Sequence, residues 1–198
     1  MQFPKAKSSL RQRVDRVKFG RCKNLIVVLE NPRDIVNTAT AIRNVNALGA
    51  EKVYVVDPDK KFPDDWHEMR GQRELGRVSA SAVKWTFVKR FDDTASCLAH
   101  LQKKGFNSIV TSPHVKGRVN VDLDTGRFTQ TKLAVWFGNE TEGISELAIE
   151  ASELCVSIPM FGIVESLNLG TCTGIVLYEI TKQRRAYIQK KLAKKAAA

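Results

Sequence analysis

The chain has little with which to hold a metal or a disulfide framework. Its 198 residues include four cysteines, Cys22, Cys97, Cys155 and Cys172, none within two residues of another. Scattered cysteines without paired spacing read as reduced, small and apolar side chains, which excludes a disulfide scaffold and argues against zinc. The three histidines, His67, His100 and His114, are equally dispersed. His67 and Glu68 are followed by Met69 and Arg70, so the helical zinc motif with two histidines four apart is absent. No metal is expected. There is no glycine fingerprint of a dinucleotide fold and no phosphate-cradling P-loop, which disfavours nicotinamide enzymes and nucleotide hydrolases. No apolar run nears the roughly 20 residues that span a bilayer, and the start, MQFPKAKSSLRQR, holds no apolar stretch of a signal peptide. A cytoplasmic protein with no membrane association is the expectation.

What is abundant is positive charge, and it is unevenly placed. The formal net charge is +11. Residues 1–23 carry eight basic side chains against Asp15 alone, and residues 182–198 carry seven against no acid. These two arms hold +14, so the body, with 17 basic and 20 acidic residues, holds −3. A near-neutral body with basic arms suits a core that holds a polyanion, nucleic acid above all, because lysine and arginine release counterions from phosphates. Solvated tails that aid solubility are the bland alternative.

Between the arms, apolar runs alternate with helical patterns. Leu25–Leu29, Val53–Val56, Trp85–Val88, Ser108–Thr111, Leu133–Phe137 and Cys155–Ile158 read as strands. Helices are expected over 35–48, stopping at Gly49, over 94–104, stopping at Gly105, over 145–151, and from about Leu167 into the basic tail. Residues 58–78 read as a long loop with one helical turn. The alternation predicts an α/β domain, a mostly parallel sheet with helices on both faces. Residues 1–23 would form a basic extension, 24–181 the domain, and 182–198 a basic helical tail.

In such sheets ligands bind at the carboxyl ends of strands, and three loops there are chemically unusual. The first, Glu30-Asn31-Pro32-Arg33-Asp34, leads into a helix carrying Asn37 and Arg43. Six residues place these two about 120° apart in projection unless Asn37 lies in the first turn. A helix cap for Asn37 and a salt bridge for Arg43 are the simpler readings on spacing alone. The second loop, Phe137 to Ser145, sets Glu140 and Glu142 between Gly138 and Gly143. Its acids suit a cationic or hydroxyl-rich ligand better than a phosphate. The third runs from Ile158-Pro159-Met160 to Ser166-Leu167-Asn168. Its apolar part suits an adenine ring, and Ser166 could cap the last helix.

In order and spacing these loops resemble the three motifs of the SpoU branch of the SPOUT methyltransferases, most of all the TrmH-type tRNA guanosine 2′-O-methyltransferases. The likeness runs over roughly residues 24–188, and Ser81 and Lys84-Trp85 fit it as well. One departure is Leu169-Gly170 where relatives usually carry Val-Ser. The resemblance implies a SPOUT fold with a deep trefoil knot near the carboxyl end, a homodimer, and S-adenosylmethionine as cofactor. Main-chain groups around Thr111, Gly138, Ile158, Met160 and Leu167 would hold that cofactor. Arg43 would be the central catalytic residue, with Asn37, Glu140, Ser166 and Asn168 arranging it and the RNA phosphate. The implied reaction is methylation of a ribose 2′-hydroxyl in tRNA, at a D-loop guanosine. Ribosomal RNA as substrate and a non-catalytic RNA-binding protein on the same fold stay open. A guanidinium stays protonated in proteins, so Arg43 is read as a phosphate anchor and alkoxide stabiliser rather than a general base.

Overall fold

A computed structural model describes residues 9–117 and 119–196. Seven strands form one sheet: β1 (Cys22–Glu30), β2 (Ala50–Val56), β3 (Phe87–Phe91), β4 (Asn107–Thr111), β5 (Asn120–Asp122), β6 (Leu133–Phe137) and β7 (Cys155–Ser157). Their spatial order is β3-β2-β1-β6-β4-β7-β5, and every pairing is parallel. Chain order departs most from spatial order at the carboxyl end, where β4 lies between β6 and β7. That arrangement is consistent with the trefoil knot that the resemblance implies.

Both faces are covered, as expected of a parallel sheet. Alternate side chains of β1, Leu25, Val27 and Leu29, enter one core with Ile42 and Val45 of α2 (Ile35–Leu48) and Val176 and Leu177 of α7 (Leu169–Ala196). Ile26 and Val28 enter the other core with Cys97, Leu98 and Leu101 of α5 (Thr94–Lys103) and Ala148 and Ile149 of α6 (Glu146–Glu150). The period of two along the strand thus divides the molecule into its layers.

The helix over 35–48 lies where the sequence places it. Asp34 caps it by accepting from the Val36 amide at 2.7 Å, and Gly49 ends it at φ 81°, a left-handed conformation that favours glycine. Four expectations shift. The stretch 58–78 folds into α3 (Trp66–Gly71) and α4 (Arg73–Val78), burying Met69 and Leu75; helices of six residues are too short to show a period. The strand expected at Trp85–Val88 starts at Phe87 and runs to Phe91, because Trp85 closes a 3-10 turn over Ala82–Lys84 and stands half exposed. The short β5 forms where the sequence pattern marks no strand, held by pairing with β7. The last helix begins at Leu169 with Asn168 before it. Asn168 Oδ1 accepts from the Gly170 and Thr171 amides at 2.8 and 3.3 Å, so Asn168 and not Ser166 does the capping.

The basic amino-terminal extension includes helix α1 (Ser9–Val17), while Lys5 and Lys7 lie outside the described residues. The basic tail is the outer half of α7, which runs unbroken through residue 182. Three of its cations have structural partners, and the first, Lys182, pairs with Glu179 at 2.9 Å. Arg184 is buried and donates to the carbonyls of Gln130, Thr131 and Lys23. Arg185 donates to the Leu48 carbonyl at 3.1 Å. Burial pushes the Arg184 pKa down, opposed by the neighbouring Cys22 thiol.

Candidate functional site

At the carboxyl ends of β4, β6 and β7 lies a cavity of about 620 Å³, within the usual range for small-molecule sites. The loops after all three strands line it. Each residue expected to hold a cofactor is on its wall: Thr111, Gly138, Ile158, Met160 and Leu167. So are Glu140, Ser166 and Asn168.

The second loop owes its shape to Asn139 and Gly138. Asn139 Oδ1 accepts from the Thr141 and Glu142 amides at 2.8 and 2.6 Å. The Asn139 and Gly143 main chains exchange hydrogen bonds of 3.0 and 3.1 Å, folding the acidic segment back on itself. A β-carbon at Gly138 would stand 2.1 Å from the Gly143 carbonyl carbon and 2.3 Å from the Ile144 nitrogen. Only glycine fits against that backbone.

Glu30, at the end of β1, braces the same loop from below. It is buried, 5% exposed, and accepts from Ser145 N at 2.8 Å, Ser145 Oγ at 2.7 Å and Thr94 Oγ1 at 2.5 Å. Ser145 Oγ in turn accepts from the Ala148 amide and caps α6. Sequence reasoning placed Glu30 in the first loop without a role; only the fold, which brings it beside a serine 115 residues away, supplies one.

The three loops meet in a chain of side-chain hydrogen bonds. Asn168 Nδ2 donates to Asn37 Oδ1 at 2.8 Å, and Asn37 Nδ2 donates to Glu140 Oε1 at 2.7 Å. Glu140 Oε2 accepts from the Arg33 amide at 3.1 Å. Asn37 is in the first turn of α2 and buried, while Arg43, about 120° further round the helix, is exposed, so the first turn does not bring the two onto one face. Burial raises the Glu140 pKa, but the Asn37 amide and the main-chain amides of Arg33, Glu140 and Asp34 outweigh it, and the carboxyl lies below its ordinary 4.5. Glu140 therefore stays ionised and is a poor proton acceptor, suited to orienting its neighbours. Arg33 also pairs with Glu142 at 2.7 Å, but both side chains are more than half exposed, so that contact adds little.

Arg43 stands apart from this cluster. It is exposed on α2, does not line the cavity, and has no hydrogen-bond or ion-pair partner among the described residues. The departure at Leu169-Gly170 has a packing explanation. A β-carbon on Gly170 would meet Thr40 Cγ2 at 2.7 Å, and the Gly170 carbonyl accepts from Asn44 Nδ2 at 2.7 Å. Glycine there lets α7 lie close against α2.

The lining fits a cationic ligand with an apolar ring. Phe137, Ile144, Val156, Ile158 and Leu169 supply apolar surface, while among its charged side chains Glu140, Glu142 and Glu165 outnumber Lys116. Lys116 leans toward Glu146 at 3.6 Å. An anionic phosphate ligand would meet an acidic wall; an adenosyl sulfonium would not be repelled. Among the described residues no cluster of three or more histidine, cysteine, aspartate or glutamate side chains could hold a metal, and no helix is long and apolar enough to cross a membrane.

The model of the SpoU rRNA methylase family matches residues 24–178. Among curated proteins, the tRNA (guanosine(18)-2′-O)-methyltransferase of Thermus thermophilus is 28% identical over 174 residues, 88% of this chain and 82% of the relative. Among solved structures, the TrmH/SpoU tRNA modifying enzyme of A. aeolicus superposes with a TM-score of 0.73 at 26% identity, over 90% of this chain and 85% of that one. An S-adenosylmethionine-bound rRNA methyltransferase from Sinorhizobium meliloti gives a TM-score of 0.65 at 28% identity, over 81% of this chain and 56% of that one.

Proposed function

The chain belongs to the SpoU methylase family, and from that premise we propose that it methylates the 2′-hydroxyl of a ribose in RNA, with S-adenosylmethionine as donor and a D-loop guanosine of tRNA as target. The observation that carries this reading is the Asn168–Asn37–Glu140 chain at the mouth of the cavity, which ties the three loops into one site. The curated tRNA enzyme, matched over most of both chains, favours tRNA as the substrate.

Methyl transfer requires the donor carbon in line with the attacking oxygen, a route for the hydroxyl proton, and stabilisation of charge on oxygen. When bound, S-adenosylmethionine would supply an electrophilic methyl group, and with Glu140 a poor acceptor and Arg43 charged, the proton of the attacking hydroxyl would pass to solvent water. Main-chain groups at Thr111, Gly138, Ile158, Met160 and Leu167 would hold the cofactor, with the apolar side chains of Ile158 and Leu169 excluding water from one side. Glu140 and Asn168, fixed through Asn37, orient the incoming ribose, with Ser166 on the same rim. Arg43 holds the neighbouring phosphate as a charged, two-pronged donor and lowers the energy of the forming alkoxide.

Arg43 faces away from the cavity of its own chain, which supports a homodimer in which it serves the partner's site. Val36 shares its stripe of α2, and Phe161, Ile163 and Val164 of the third loop are 98%, 102% and 62% exposed, apolar surface that suits a covered face. A cytoplasmic location follows from an RNA substrate.

The test is transfer of labelled methyl from S-adenosylmethionine to unmodified total tRNA and to ribosomal RNA. Label in tRNA, recovered in an alkali-resistant dinucleotide, is the expected result. Label in ribosomal RNA alone would keep the chemistry and overturn the substrate. No label in either would overturn the activity.

A further inference from the structure

The near-neutral charge of the body conceals a local concentration of lysines far from the cavity. Lys52 on β2 pairs in register with Phe87 on the edge strand β3, and Tyr54 pairs with Lys89. These side chains share the sheet face covered by α5. Lys103 and Lys104 end α5, and Lys132 immediately precedes β6, donating to the Lys104 carbonyl at 2.6 Å. With the exception of Lys89, mid-strand at the edge, all stand around the amino ends of the strands, whereas the cavity opens at the carboxyl ends.

How these lysines are held distinguishes them from ordinary surface charge. Lys89 Nζ lies 4.6 Å from the Phe91 ring centroid, Lys132 Nζ 5.8 Å from that of Phe106, and Lys52 Nζ 6.0 Å from that of Phe87. Lys52 alone has a carboxylate nearby, Glu51 at 3.4 Å; among the described residues Lys89, Lys103, Lys104 and Lys132 have no ion-pair partner. An aromatic face orients an ammonium without neutralising it, so its donors remain available to an anion. His100 lies within reach of four of these lysines. Burial lowers its pKa first, and Lys89, Lys104, Lys52 and Lys103 lower it further.

Simpler roles account for part of this. Lysine on an edge strand discourages strand-to-strand association, and cations suit a helix carboxyl terminus. Neither explains why Lys52, Lys89 and Lys132, from three separate segments, are each backed by a ring on the side of the molecule where Lys103 and Lys104 also stand. Both basic arms leave the body at the same end: the Cys22 amide donates to the Gly49 carbonyl at 2.7 Å, and Arg185 to the Leu48 carbonyl.

We propose that Lys52, Lys89, Lys103, Lys104 and Lys132 form a second RNA-binding surface, which holds the phosphate backbone of a part of the substrate remote from the methylated ribose. The lysines are distributed along an edge, which suits successive phosphates of a strand rather than one small anion. The proposal rests on the reading of the chain as an RNA methyltransferase.

Lysine footprinting tests it on the full chain. The protein is acetylated with and without unmodified total tRNA, and modification at each lysine is followed by mass spectrometry, with methyl transfer measured in parallel. Lys89, Lys103, Lys104 and Lys132 are expected to react several-fold more slowly with RNA bound, while Lys60 and Lys61 are unchanged. A variant with those four lysines changed to glutamine should keep its affinity for S-adenosylmethionine. Its slope of log binding constant against log salt should be shallower by about 2 to 4. Methyl transfer with the four lysines unprotected and the slope unchanged would overturn the surface and leave the activity standing. Protection without methyl transfer to any RNA would support the surface and overturn the activity. Absence of RNA binding would overturn both.

Discussion

The amide of Asn37 and the carboxylate of Glu140 meet at 2.7 Å although 103 residues separate them. The contact joins the helix after β1 to the loop after β6, and Asn168 extends it to the start of α7. Asn37→Ala removes a donor from Glu140 and an acceptor from Asn168 together. A fall in kcat of about a hundredfold is expected, with Asn37→Ala/Glu140→Ala little worse than either single change, because residues acting as a unit are not additive. Steady-state kinetics of the three variants decide this; multiplicative losses would mean that the residues act separately.

The same contact has a pH signature. The Glu140 carboxyl is lowered in the folded protein, so its stabilisation is present above the ordinary carboxyl value and vanishes as the pH falls through the lower folded value. Denaturant titrations of wild type and Glu140→Gln should therefore differ by a constant amount above about pH 5 and converge only at more acidic pH. A difference that grew on acidification would contradict the assignment.

Gly170 and Thr40 define how closely α7 approaches α2. Gly170→Ser places a β-carbon against Thr40 Cγ2 and should destabilise the fold by about 1–3 kcal/mol. Thr40→Ala/Gly170→Ser should recover only part of that loss, since the Cγ2 contact at 2.7 Å is removed while Thr40 Cβ at 3.0 Å and Asn168 Oδ1 at 3.1 Å remain. Thermal melts of the two variants provide the comparison.

Arg184 is a buried cation that donates to three main-chain carbonyls and lies beside the Cys22 thiol. Truncation to alanine strands those acceptors and should lower stability by about 2–4 kcal/mol. Arg184→Lys should recover little, because one ammonium cannot reach three carbonyls spread over two segments. RNA affinity, by contrast, should hardly change in variants that remain folded, since Arg184 is not presented to solvent.

Much of this architecture is legible in the sequence where one element decides its own form. The helix over 35–48 has its stop at Gly49, and the run Leu133–Phe137 is buried on both faces and apolar throughout. The six-residue helices α3 and α4 were not legible, since two turns show no period and their stability comes from burying Met69 and Leu75 in the core they share with α2. The cavity wall followed from loops at strand ends together with family likeness. Two features depend on contacts across more than a hundred residues, the bracing of Ser145 by Glu30 and the bond of Arg184 to the Lys23 carbonyl, and no local pattern encodes them. The solvent-facing position of Arg43 follows from which stripe of α2 the core covers. The lysine surface escaped notice for a different reason. Acids elsewhere in the body cancel it in any count of charge, and only the fold gathers its members.

The measurement that bears most directly on the central claim compares wild type with Arg43→Ala for methyl transfer to unmodified tRNA, with S-adenosylmethionine affinity measured by calorimetry on the same samples. Arg43 touches no part of its own cavity, so cofactor affinity should stay within about twofold while transfer falls by about a hundredfold or more, as expected when a group acts in the transition state alone. Undiminished transfer by Arg43→Ala would contradict the account.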